Sequence, residues 1–159
     1  MKTNKILKYA SLCFGCICLV LIGVLTFNKE SNTQIPNPLL EVQNISEMKK
    51  YLGFDVIKLD KELENYIVIK NDKEYYHARI EYKDKTRFDM EKATSSENPS
   101  GIYGAKLTKE ETINDVKVKY YEFENTNYIT WHTKDYSYSY TSENKIDEQT
   151  VNNLINLTK

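Results

Sequence analysis

Two histidines, His77 and His132, are the only imidazoles in the 159-residue chain. Each falls on the polar parity of an alternating segment: His77 beside Arg79 and Glu81, His132 facing away from Trp131. Two histidines and a carboxylate are the chemistry of a zinc site, but zinc-binding imidazoles normally come at helical or short-loop spacing, which this pair lacks. They read as solvated strand residues, and no metal is expected. Nucleophilic catalysis finds no better footing, since no serine occupies a Gly-x-Ser-x-Gly elbow. Carboxylate pairs recur, as at Glu110-Glu111, Glu122/Glu124 and Asp147-Glu148. A glycosidase needs two carboxyl groups held across a cleft at a fixed separation, whereas charged residues are mostly exposed. These pairs read as solvated surface. With five glycines in all there is little material for a phosphate-cradling loop, and no cofactor is implied.

The most distinctive short segment is Tyr136-Ser-Tyr-Ser-Tyr140. In a strand it places Tyr136, Tyr138 and Tyr140 on one face and both serines on the other. An exposed tyrosine row binds sugars or extended peptides. The same row beneath a helix is simply core, and alternation predicts burial of the larger residues. Trp131, with Ile129, is assigned to the core on the same ground. The surface left for recognition is His77, Arg79 and His132 on the polar sheet face, together with Tyr103 in the loop Thr94 to Gly104.

The elements that must position these residues follow from periodicity. Tyr9 to Phe27 is a 19-residue uncharged, predominantly apolar run preceded by Lys2, Lys5 and Lys8. As a helix it spans about 28 Å, close to the hydrocarbon thickness of a bilayer. The lysines predict a cytoplasmic N-terminus and an outward-facing domain. No Ala-x-Ala closes the run, so an uncleaved anchor is expected over a cleaved signal peptide. Cys13, Cys16 and Cys18, the only cysteines, all lie within it. The rest of the chain therefore has no disulfide and no thiol nucleophile. Of 22 basic residues, setting aside Lys2, Lys5 and Lys8 leaves 19 against 23 acidic ones, a mildly acidic balance that argues against nucleic acid. The expected organisation is a stub 1–8, the anchor 9–27, a Pro-punctuated tether 28–38 and an outer domain 39–159.

Within that domain Asn44 caps a helix with Glu47 three residues on, Ile45, Met48 and Leu52 form its stripe, and Gly53 stops it. Phe54 to Leu59 is read as a first strand. From Tyr66 the period is two: Tyr66 to Lys70, then Tyr75 to Lys83 with Tyr76, Ala78, Ile80 and Tyr82 inward, then Phe88 and Met90 alternating with Arg87, Asp89 and Glu91. Val116 to Phe123, Tyr128 to Thr133 and Tyr136 to Thr141 follow. A last helix runs from Asp147 to Leu157 with Val151, Leu154 and Ile155 inward. Hairpin-length connections predict an α+β fold: a twisted antiparallel sheet of about six to eight strands packed with two amphipathic helices.

Asn37-Pro38-Leu39, the Ile45–Leu52 helix closed by Gly53-Phe54, the hairpin-rich middle, Trp131 followed by Tyr136-Ser137-Tyr138, and a terminal helix from Asp147 form a recognisable layout. It resembles the extracytoplasmic domain of unknown function found C-terminal to the membrane helix of Firmicute anti-sigma factors and related envelope proteins. The resemblance covers about Ile35 to Lys159 and implies an α+β outer domain, with no catalytic residues to transfer. Leu59-Asp60-Lys61-Glu62-Leu63 lacks the prolines common there, and Met1 to Lys8 cannot fold into a sigma-binding domain, so that activity is not carried over. The expectation is a membrane-anchored extracytoplasmic binding or sensing module without catalysis, engaging another envelope protein or a cell-wall component. The alternatives are an accessory subunit of a membrane complex and a cell-wall glycan hydrolase using paired carboxylates.

Overall fold

A computed structural model describes residues 37–93 and 98–159. The apolar run 9–27 with its three cysteines, the tether through 36, and the first four residues of the predicted loop, 94–97, lie outside the described residues. Among the described residues no helix is long and apolar enough to cross a membrane.

Asn44 does open the first helix, α1 (Ile45–Leu52). Its side-chain oxygen accepts the Glu47 N–H at 3.0 Å, and the Glu47 carboxylate reaches back to accept the Gln43 N–H at 2.8 Å. One orphan donor of the first turn is thus satisfied, and the reciprocal bond pins the residue before the cap. Gly53 ends the helix in the left-handed conformation, φ +71°, returning its N–H to the Lys49 carbonyl. At the other end of the chain Asp147 caps α2 (Glu148–Thr158) by accepting the Thr150 N–H at 2.7 Å.

Between the helices run β2 (Leu63–Lys70), β3 (Tyr75–Tyr82), β4 (Arg87–Lys92), β5 (Lys106–Ile113), β6 (Val116–Phe123), β7 (Thr126–His132) and β8 (Tyr136–Ser142), while β1 (Leu39–Val42) precedes α1. All neighbours pair antiparallel in one open sheet ordered β1-β2-β3-β4-β8-β7-β6-β5. Two four-stranded meanders therefore meet at a seam between β4 and β8. The connection from β4 leaves the middle of the sheet and enters β5 at its margin.

Both helices bury their stripes on one face. Met48, Leu52, Val151, Leu154 and Ile155 join Ile80, Phe88, Ile129, Trp131, Tyr138 and Tyr140 in a single core. The tyrosine row of β8 belongs to this core, and Trp131 stacks on Tyr138 with ring centroids 5.3 Å apart. The indole N–H, buried with its ring, donates to Thr158 Oγ1 at 2.9 Å, which ties β7 to the end of α2.

Several local expectations are corrected. Phe54 to Leu59 is not a strand. Phe54 and Leu59 both turn into the core, and the buried Leu59 N–H donates to the Tyr82 phenol rather than to a ladder. The edge of β2 that such a strand would need is taken by β1. β5 was not expected, because its residues are mostly exposed and show no apolar alternation. It forms as the outer arm of a hairpin whose turn residues, Asn114 and Asp115, both take positive φ (50° and 67°), as a two-residue type I′ turn requires. The alternation of β3 also breaks at its start. Ile69 pairs with His77 but Lys70 pairs with Tyr75, leaving Tyr76 as the extra residue of a bulge. Tyr75 consequently packs at the helix-side core, its ring 4.9 Å from that of Tyr51. Tyr76, assigned inward by simple alternation, instead lies with His77 on the opposite face.

Candidate functional site

That opposite face is where the polar parity residues of β3, β4 and β8 meet. The β3–β4 hairpin, turned at Lys83–Lys85, sets His77 opposite Glu91, Arg79 opposite Asp89 and Glu81 opposite Arg87. Each pair joins a basic residue to an acidic one. The seam extends two of these rows onto Ser137 and Ser139 of β8.

His77, expected to be solvated, is 4% exposed, and Asp89 and Glu91 are exposed by 0% and 1%. The cause is tertiary. Residues 98–105, the described part of the connection between β4 and β5, lie over the charged rows of this face. Arg87 donates to the Ser100 carbonyl at 2.6 Å and Arg79 to the same oxygen at 3.4 Å. Tyr128, buried below, donates to the Ile102 carbonyl at 3.4 Å. The loop is internally braced as well: Asn98 accepts the Ser100 hydroxyl at 2.6 Å and donates to the Ile102 carbonyl at 2.7 Å. Gly101 takes φ +69° at its apex, a conformation that L side chains rarely adopt.

Asp89 is the hub. Its Oδ1 accepts from His77 Nε2 at 2.9 Å and Arg79 Nε at 2.7 Å; its Oδ2 accepts from Arg87 Nε at 2.9 Å and Ser139 Oγ at 3.2 Å. Burial works against its charge, but the His77 hydrogen bond and the Arg87, His77 and Arg79 charges outweigh it and hold the carboxyl at about 2. The other ring nitrogen of His77, Nδ1, lies 3.3 Å from Glu91 Oε2. Burial disfavours the imidazolium, yet the bonds to Asp89 and Glu91 prevail, and its pKa stands above the ordinary 6.5. His77 is thus a bridge between two carboxylates, with both nitrogens committed.

Glu91 differs from Asp89 in one respect. Its second oxygen, Oε1, is buried and has no hydrogen-bond partner among the described residues. Glu91 lines an open recess of about 760 Å³ together with His77, Arg79, Tyr76, Gly101 and Tyr103. Tyr103 is 80% exposed at the mouth. Burial and the Glu91 charge raise the Tyr76 phenol above its ordinary value. The bulge is what brings Tyr76 here.

Three of the four residues singled out from the sequence, His77, Arg79 and Tyr103, therefore share one recess. His132 does not. It ends the same cross-strand row, His77–Glu91–Ser137–His132, but three strand spacings away, about 14 Å. It is exposed and bonded to Ser137 Oγ at 2.8 Å. Among the described residues no group of three or more His, Cys, Asp or Glu side chains is placed to hold a metal ion. Sequence reasoning missed Asp89, Glu91, Arg87 and Tyr76. The complementary charge order of Arg87-x-Asp89-x-Glu91 against His77-x-Arg79-x-Glu81 was the available signal for the first three. Against known protein families, curated proteins and solved structures, this chain finds no match.

Proposed function

We propose that the protein is an extracytoplasmic recognition module, held to a bacterial envelope through residues 9–27, and that the recess above Glu91 is where it takes its ligand. The observation that carries this reading is that Glu91, one of the residues lining the open recess, has a buried oxygen, Oε1, with no hydrogen-bond partner among the described residues. A buried acceptor without a donor costs about 1–3 kcal/mol, and a ligand that supplies the donor recovers it. Binding is favoured over catalysis because Asp89 has both oxygens saturated and His77 has both nitrogens committed. Neither is poised to move a proton to or from a substrate.

The test is thermal unfolding of the full-length chain in neutral detergent with panels of sugars, peptidoglycan fragments, amino acids and amines. A true ligand at about ten times its Kd stabilises the native state by about 1.4 kcal/mol, a rise of several degrees for a domain of this size. At least one class is expected to raise Tm in the wild type and to lose that effect in Tyr103→Ala. Uniform indifference across the panels, or a rise that survives the substitution, rejects the reading.

A further inference from the structure

The chemistry of the recess narrows what it takes. The cationic groups that line it already have acceptors: His77 is held by Asp89 and Glu91, and Arg79 by Asp89 and the Ser100 carbonyl. Among the described residues, the fully buried polar atom of this lining that lacks a partner is an acceptor, Glu91 Oε1. The deepest group of a ligand must therefore donate. An ammonium donates, but here it would share the recess with the Arg79 guanidinium, and like charges repel. An anion would meet Glu91 itself. A neutral hydroxyl or amide donor satisfies Oε1 without either conflict. The walls add two phenol rings, Tyr76 delivered by the β3 bulge and Tyr103 at the mouth. Such rings present an apolar face to flat C–H surfaces and a polar edge to water. Carboxylate acceptor and aromatic platforms together match a ring bearing several hydroxyls.

We infer that the recess binds a neutral saccharide, one of whose hydroxyls donates to Glu91 Oε1 while its C–H faces lie on Tyr76 and Tyr103. The inference rests on the recess being the ligand site proposed above, and it names the class of ligand. The loop 98–105 then forms one wall of the sugar site, held at its working height by Arg79 and Arg87.

The experiment is a chemical-shift titration of the ¹⁵N-labelled full-length chain in a polyoxyethylene detergent, which carries neither sugar nor charge. The amides of Glu91, Gly101 and Gly104 are read against three probes: N,N′-diacetylchitobiose, cellobiose and methylammonium. At least one disaccharide is expected to move these amides saturably. Its Kd is expected to rise at least about tenfold in Glu91→Ala, the loss of a charge-assisted hydrogen bond, and several-fold in Tyr103→Ala. Because Tyr103 is 80% exposed, the second variant keeps the fold even where the first loosens it. Methylammonium moving the same amides while both disaccharides leave them still would overturn the saccharide class and retain the recess as a binding site. Disaccharide shifts unchanged in both variants would overturn the assignment of the sugar to this recess. Silence from all three probes would overturn the saccharide, and the panel of ligand classes in thermal unfolding then decides the recess separately.

Discussion

Replacing Asp89 by Asn changes one atom and leaves the volume intact, yet it strikes the hub of the polar face. The wild-type carboxylate accepts four hydrogen bonds, two on each oxygen. An amide keeps one accepting oxygen and turns an NH₂ toward donors that have nowhere else to go. One of the two guanidiniums, Arg79 or Arg87, then faces a donor with a donor. Two measures bound the cost. Holding the carboxyl at about 2 instead of 3.8 corresponds to about 2 kcal/mol in favour of the ionised native form. Breaking a buried ion pair by removing one charge costs about 3–5 kcal/mol, since the partner charges stay buried and uncompensated. The expected loss is therefore about 2–5 kcal/mol, a large share of the roughly 5–15 kcal/mol that holds a domain together. The assay is urea unfolding in neutral detergent, followed through Trp131, the only tryptophan and fully buried. The pH dependence supplies an independent check. A carboxyl with a depressed native pKa contributes fully above its unfolded value of 3.8 and loses that contribution as pH falls through about 2. The gap between wild type and Asp89→Asn should hold steady near neutrality and narrow below about pH 4. A loss under about 1 kcal/mol at pH 7, or a gap that does not narrow on acidification, refutes the account of Asp89 as a buried charge stabilised by its donors.

His77 gives the opposite slope. Its native pKa lies above 6.5 because the Asp89 and Glu91 bonds outweigh burial, so its stabilisation is complete below pH 6.5 and is lost as pH rises through the native value. Wild-type unfolding free energy should decline with alkalinisation from pH 6.5, the decline should vanish in His77→Gln, and a wild-type curve that climbs over the same range would contradict the bridge. In the core, Ile155 of α2 is fully buried, and Ile155→Ala should cost about 2–5 kcal/mol by urea unfolding. A cost under about 1 kcal/mol would mean that α2 does not seat on the sheet as described.

What could be read from the chain was what is decided within a few residues. The Asn44 cap, the Gly53 stop and the Val151, Leu154, Ile155 stripe all survive in the structure because caps and stripes are local chemistry. The burial of Tyr138, Tyr140 and Trp131 followed from alternation between large and small side chains. Tyr76 could not be placed this way, since its direction depends on how the short Asn71–Glu74 turn sets the pairing of β2 with β3. β5 eluded the periodicity because an exposed margin strand has no buried side to reveal it. The site itself divides along the same line. The opposite charges facing one another across the β3–β4 hairpin were present in the sequence for anyone who folded it at Lys83–Lys85. Their burial was not, for it depends on residues 98–105 lying over them, and nothing near His77 in the chain signals that cover.

The seam between β4 and β8 has a kinetic consequence. Within each meander every pairing joins neighbours in the chain, the kind of contact that forms early and at low entropic cost. The seam instead joins residues such as Asp89 and Ser139, 50 positions apart, and it must wait for both halves. Until it closes, β4 and β8 are each a free strand edge with Phe88, Met90, Tyr138 and Tyr140 beside it, and the carboxylate of Asp89 is still in water. Unpaired apolar edges of this kind are the surfaces through which nascent chains pair wrongly. The molecule's moment of greatest exposure during folding therefore lies in what becomes its centre, and the step that ends it is the one that brings the Ser139 hydroxyl to Asp89.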